Sequence, residues 1–217
     1  ANIIDEKINQ ICSSSFPIYD LGFSVVDVST LSNLNKSIAL RVLMLIIKTV
    51  GGNKYFVKNK NANLLLKHLI KHNNILSKMP GRTLGGCKIV YRYQRIFILR
   101  WSEYNTKKRV MSHLGNMIFD NRWQIFSKPE IEFECLQQKY PIILQDLFSK
   151  TFKIPIEALA YIPISLKIFN FKKIKFYLDD MNCDNHISVC KYLLIFIRKE
   201  YNINIEFIKP ITPKALF

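Results

Sequence analysis

Residues Arg82 to Arg100, "RTLGGCKIVYRYQRIFILR", decide how this chain is read. Two runs within and just past it, "CKIVYRY" from Cys87 and "RIFILRW" from Arg95, alternate with period two. That period marks a pair of antiparallel strands. The glycine pair Gly85-Gly86 stands directly before the first strand. A phosphate-binding loop needs a strand, a glycine-rich turn and then a helix whose N-terminus faces the phosphate. Gly85-Gly86 leads into a strand, and Gly51-Gly52 follows a helical pattern without the lysine-serine/threonine signature, so neither pair reads as a nucleotide loop. Gly85 and Gly86 are predicted to form the turn that launches the hairpin, because glycine takes positive φ without a steric penalty.

Working outward toward the N-terminus, "NIIDEKINQIC" has the spacing of a short amphipathic helix, and "GFSVVDV" that of a brief strand. The pattern from Ser29 to Val50 predicts one helix, with Ser29 or Ser32 as N-cap and Gly51-Gly52 ending it. A second helix is predicted from Asn61 to Ser77, with Leu65, Leu66, Leu69 and Ile70 on one face. Pro80 and Gly81 break helicity, which places a boundary between a helical domain at 1–79 and a mixed domain at 80–217. Toward the C-terminus, "MIFDNRWQIF" and "EIEFECL" read as two strands, and "QQKYPIILQDLFSK" as a short helix. "IPISLKIF" and "KKIKFYL" read as a hairpin around Asn170-Phe171, "ISVCKYLLIFIRKEY" as a helix and "INIEFIK" as a last strand. The predicted class is α+β: an N-terminal helical hairpin or small bundle, then a mixed, mostly antiparallel β domain with short helices.

The chain has 217 residues and a formal net charge of +16, with 49% hydrophobic and 12% aromatic residues. That composition supports a packed core, and the charge points to a polyanionic partner, nucleic acid or an anionic membrane. Arg41 and Lys48 bracket "VLMLII" and Arg198 closes "YLLIFI", so no run reaches membrane-spanning length. No helix pattern pairs a basic face with an exposed apolar one, and no secretory leader is visible. The expectation is a cytoplasmic protein with no membrane partner. The sequence does not start with Met, which reads as a piece of a longer protein.

Catalytic and metal-binding patterns find little support. The five cysteines are odd in number and form no CxxC, which reads as reduced thiols. Cys183, His186 and Cys190 have no fourth partner at zinc spacing. His68 and His72 stand four apart on a helix, but no glutamate lies between them to act as a base. Asp179-Asp180 and Asp120 are isolated carboxylates, and Asp120-Asn121 reads as a turn. No catalytic residue, metal ligand or cofactor is assigned within this chain.

The basic residues carry more information. From Arg82 to Lys128 there are ten Lys/Arg against two acids, Glu103 and Asp120, and six of the chain's eight arginines fall in this window. Tyr91, Tyr93, Trp101, Tyr104 and Trp123 are interleaved with them. Cations that reach phosphates beside aromatics that accept stacked bases form an RNA-binding pattern. The expected RNA-facing residues here are Arg82, Lys88, Arg92, Arg95, Lys107, Lys108, Arg109 and Arg122.

"SIALRVLMLIIKTVGG", a second helix, "RTLGGCKIVYRYQRIFILR" and the element Phe119-Asp120-Asn121-Arg122-Trp123 follow one another in this order. Together they resemble the C-terminal region of bacterial tRNA(Ile)-lysidine synthetase, a PP-loop ATPase family. That family shows an arginine-bearing helix, a threonine-leucine-glycine-glycine turn with a basic hairpin, and a tryptophan-aspartate-glycine-arginine-phenylalanine element. "IPIEALAYIPISLKI" and the ending "FIKPITPKALF" resemble its later leucine-proline segment and its terminal proline-rich strand. Two departures stand out. Asn121 takes the place of a glycine, and Gln94-Arg95 replaces a glycine-containing turn, which implies a longer hairpin tip.

The family ligates lysine to the wobble cytidine of an isoleucine tRNA, using ATP with magnesium. Its ATP-binding serine-glycine-glycine-x-aspartate-serine loop has no counterpart in this sequence. The resemblance therefore implies a tRNA-binding C-terminal portion, preceded by the end of a linker from the catalytic domain and inactive alone. It implies a tRNA with a CAU anticodon as partner in tRNA modification, and adds Arg41, on the arginine-bearing helix, to the RNA-facing set. Whether the chain forms a homodimer stays open at this stage. The alternative class is a freestanding basic RNA- or DNA-binding accessory protein.

Overall fold

The computed structural model describes residues 3–53, 56–71, 81–101, 110–112, 115–127, 131–135, 145–159, 162–164, 170–181 and 186–208. Its class is α+β, and every described strand pair is antiparallel. Two compact units emerge: Ala1–Ile18 with Phe23–Glu103 and Ile208–Phe217, and Tyr104–Phe207 with Tyr19–Gly22. The boundary expected between residues 79 and 80 therefore falls inside the first unit. The reason is packing, because the basic hairpin closes the same core as the helices that precede it.

In the first unit, α1 (Ile3–Ser15), α2 (Val28–Ser32), α3 (Lys36–Val50) and α4 (Asn59–Lys71) pack with a four-stranded sheet. Its strands are β1 (Ser24–Val26), β2 (Arg82–Leu84), β3 (Cys87–Arg92) and β4 (Arg95–Arg100), in the order β1-β4-β3-β2. Leu31, Val42, Leu43, Ile46 and Ile47 from the helices meet Cys87, Ile89, Ile96 and Ile98 from the sheet in one buried cluster. The single helix expected over Ser29–Val50 is broken at Asn33–Asn35 because two caps compete for the chain. Asp27 accepts from the amides of Ser29 and Thr30 at 3.1 and 3.2 Å, and Asn35 accepts from the amide of Ser37 at 2.9 Å. The Thr30 hydroxyl bond leads the causes that hold the Asp27 carboxyl below its ordinary pKa. In α4, Leu65, Leu66 and Leu69 are buried as expected, whereas Ile70 is exposed. The expected continuation of this helix to Ser77 lies outside the described residues.

In the second unit, β6 (Gly115–Phe119), β7 (Trp123–Ser127) and β10 (Ile203–Phe207) form a sheet in the order β10-β7-β6, and β5 (Val110–Ser112), β8 (Ile131–Cys135) and β9 (Pro163–Ile164) form another. "MIFDNRWQIF" is thus a hairpin rather than one strand. It folds back at Asp120 and Asn121, with φ of 52° and 53°. A π-helical turn covers Leu147–Thr151, where a short helix was expected, and the start of that segment lies outside the described residues. The hairpin expected around Asn170-Phe171 is instead the start of α5 (Phe171–Asp180). Asn170 caps that helix, accepting from the amides of Lys172 and Lys173. The helix expected after it is α6 (His186–Tyr201), and its Arg198 donates twice to the carbonyl of Ile205.

Candidate nucleic-acid interface

The basic hairpin is built on two tight turns. Leu84 pairs with Cys87 across Gly85-Gly86, whose φ values are +56° and +69°. Two left-handed residues in succession give the turn whose twist suits antiparallel strands, and glycine is the residue that adopts it without strain. The other end closes at Tyr93-Gln94, with φ of 50° and 61° and Arg92 paired directly with Arg95. The tip is therefore a two-residue turn and not the longer one expected from its lack of glycine.

The glycines also bring sheet and helices close together. Asn53, just past α3, donates to the carbonyl of Gly85. Arg100 donates to the carbonyls of Gly51, at 2.6 Å, and Gly86, at 3.3 Å. A Cβ on Gly86 would lie 2.5 Å from the Arg100 guanidinium, and one on Gly85 would meet Val57 and Ile47. The two glycine pairs that sequence patterning sets aside as nucleotide loops are thus one structural seam, stapled by Arg100 and Asn53.

Strand alternation and register divide the expected RNA-facing residues between the two sides of the sheet. Arg82 pairs with Ile89 and Arg100 with Cys87, which places both on the helix side. The guanidinium of Arg82 reaches the ring of His68 on α4, at 3.4 Å. Lys88, Arg92 and Arg95 share the opposite side. Arg92 and Arg95 are exposed cross-strand neighbours, a like-charge pair, and Lys88 lies over the Trp101 ring at 4.8 Å. Arg41 is exposed on α3, 3.8 Å from Asp5. Lys107, Lys108 and Arg109 lie outside the described residues, as do His72 and Cys183.

Arg122 does not join this surface. It is 1% exposed, and its Nε donates to Asp120 at 2.9 Å while Nη1 donates to the carbonyl of Gly22 at 3.3 Å. Its guanidinium carbon lies 5.9 Å from the ring centres of both Trp123 and Phe207. The expectation that it faces RNA is overturned, because ion pairing and aromatic packing consume the whole group. Of the expected stacking aromatics, Tyr104 lies outside the described residues and Trp101 is half-buried under the Lys88 ammonium. Trp123 is fully buried against Phe207, Tyr91 packs on the helix-side core and Tyr93 stands edge-on to Phe97. Among the described residues the exposed cations thus suit phosphates rather than stacked bases.

Sequence patterning missed the strongest charge signal by starting its window at Arg82. From Val28 to Ser102 there are fourteen Lys/Arg and no Asp or Glu. The rest of the chain holds 18 basic and 16 acidic residues, so almost the whole net charge lies in this one segment of the first unit. Four exposed lysines of that segment, Lys58, Lys60, Lys67 and Lys71, lie on or just before α4 and were left out of the expected set. A scan for acid-free length, rather than for arginine, finds them. No helix among the described residues is long and apolar enough to cross a membrane. Among those residues no His, Cys, Asp and Glu cluster that could hold a metal occurs. The Cys190 thiol is pushed well above its ordinary pKa, chiefly by burial and then by the charge of Asp20. Comparison of the chain with protein families, with characterised proteins and with solved structures finds no match.

Proposed function

We propose that this chain binds structured RNA through its first unit, as the tRNA-gripping region of a lysidine-forming tRNA ligase. The observation that carries the reading is the acid-free segment from Val28 to Ser102, whose fourteen cations belong to one compact unit. Such a surface attracts a polyanion over distances near the Debye length, and phosphate contacts then fix its orientation. The narrower part of the proposal rests on the resemblance quoted above. In its favour, the threonine-leucine-glycine-glycine segment forms a hairpin-launching turn seated on the arginine-bearing helix. In this reading the chain positions a CAU-anticodon isoleucine tRNA in the cytoplasm, while ATP and magnesium belong to a separate catalytic domain.

Titration of fluorescently labelled tRNA with the chain at about 100 mM salt tests the RNA reading. Saturable binding that heparin competes away is expected, and absence of binding removes the proposal. Reading the gene upstream for a serine-glycine-glycine-x-aspartate-serine loop tests the narrower part. Without that loop, the freestanding RNA-binding class takes its place.

A further inference from the structure

Helix α4 presents Lys60, Leu64, Lys67 and Lys71 at intervals of four, three and four residues. This spacing aligns them in one stripe along the helix. All four are exposed, and Leu64 is 56% exposed between the lysines. The opposite side of the helix, Ala62, Leu65, Leu66 and Leu69, is buried in the core, so the stripe is held on a fixed support. His68 lies one helical step from both Leu64 and Lys71, and it holds Arg82 beside the same stripe. Among the described residues no acid pairs with Lys60, Lys67 or Lys71, whereas Arg41, Lys150 and Lys173 each have a carboxylate within 4 Å. Lys67 and Lys71 are like charges four apart, an arrangement that costs helix stability unless an anion sits over it.

We propose that this stripe is a docking surface for the phosphate backbone of double-stranded RNA. It would hold a stem by shape and charge without reading its sequence. Charge complementarity selects the occupant. At 1.5 Å per residue the lysines span about 16 Å of helix, enough to follow several phosphates. Lysine is a point charge, suited to phosphate rather than to the bidentate reading of a base. No aromatic side chain stands in the stripe for a base to stack on. An anionic membrane is the poorer fit, because Leu65, Leu66 and Leu69 are buried beneath the helix and only Leu64 and Ile70 of its large apolar side chains are exposed, too few to seat it in a bilayer. The inference rests on the RNA-binding reading above and deepens it by naming the surface and the kind of RNA.

The test compares the full chain with its Lys60→Glu/Lys67→Glu/Lys71→Glu variant on three probes: tRNA, a 20-base-pair RNA duplex of unrelated sequence, and vesicles containing phosphatidylserine. The variant is expected to keep its melting temperature and to lose more than tenfold in affinity for both RNAs. Replacing the same lysines with alanine should flatten the log–log salt slope by about 2.7, taking 0.9 per phosphate contact. Lys→Arg at all three positions should retain binding. If the unaltered chain binds tRNA and duplex and the charge-reversed variant binds them equally well, the stripe is overturned while the RNA reading survives. If the unaltered chain binds neither RNA, both fall together. Lysine-dependent binding to vesicles with RNA binding unchanged also overturns the stripe.

Discussion

Arg122 shows how the surroundings of one side chain decide its role. Its charge is matched by Asp120 two residues before it and by the Gly22 carbonyl a hundred residues away. Arg122→Ala would remove the ion pair from the largely buried Asp120 carboxylate, a change that typically costs about 3 kcal/mol or more. Chemical denaturation should show that loss, while the protein that remains folded should bind tRNA as before. A large fall in affinity without loss of stability would return Arg122 to the interface. Cys12 sets a second test at this scale. Burial on α1 pushes its pKa up to about 12, from 9.0. Both states carry the proton below pH 9, so the thiol contributes its full stability there. Above pH 9 the unfolded chain loses its proton first, and stability should fall by about 1.4 kcal/mol per pH unit from this group until near pH 12. Denaturation midpoints measured from pH 8 to 11 should fall less steeply in Cys12→Ala than in the unaltered chain.

At the scale of elements, the seam between the glycine pairs separates two kinds of argument. Gly51 has φ of −75°, a value any residue adopts, so backbone preference alone would make Gly51→Ala harmless or stabilising. The structure sets the Gly85 carbonyl and the Asn53 side chain where the new Cβ would go. Gly51→Ala should therefore destabilise the first unit, and Gly86→Val should do so more strongly through both its φ of +69° and its clash with Arg100. Thermal melts of both variants decide, and a Gly51→Ala protein as stable as its parent would show that the seam can open without cost. At the far end of the hairpin, Arg92→Glu/Arg95→Glu exchanges one like-charge pair for another, so stability should move by only about 0.5 kcal/mol. Affinity for tRNA should fall more than tenfold, because two attractive contacts become repulsive. An unchanged affinity would leave the hairpin as scaffold. The hairpin was legible in the sequence because its turn chemistry and its period of two are local. The helix α5 was not. "KKIKFYL" alternates like a strand, and the helix buries only Ile174 and Leu178 of that run, four residues apart. The deciding signal was a single side chain, the cap at Asn170. The role of Arg122 was hidden for a different reason, since its partners Gly22 and Phe207 lie far from it along the chain.

Across the whole molecule the distribution of charge outweighs its total. A net charge of +16 spread evenly would chiefly serve solubility, but here one acid-free segment carries almost all of it. Six of its members lie on two separate supports, Lys60, Lys67 and Lys71 on the exposed stripe of α4 and Lys88, Arg92 and Arg95 on one side of the sheet. Part of that charge is already used within the protein: Arg100 staples the glycine seam, Arg41 lies near Asp5 and Arg82 contacts His68. The cations left to meet RNA are thus fewer than fourteen, and five or six simultaneous phosphate contacts are a reasonable count. Each duplex contact releases condensed counterions and contributes about 0.9 to the log–log slope, so tRNA affinity should fall with salt at a slope of about −5. Between 50 and 200 mM salt, a fourfold change, that slope corresponds to a loss of about a thousandfold. Fluorescence anisotropy over that range measures it directly. A slope shallower than about −2 would mean that most of these cations stay in solvent, and binding would then have to depend on the bases, for which the buried Trp123 and the packed Tyr91 offer no platform.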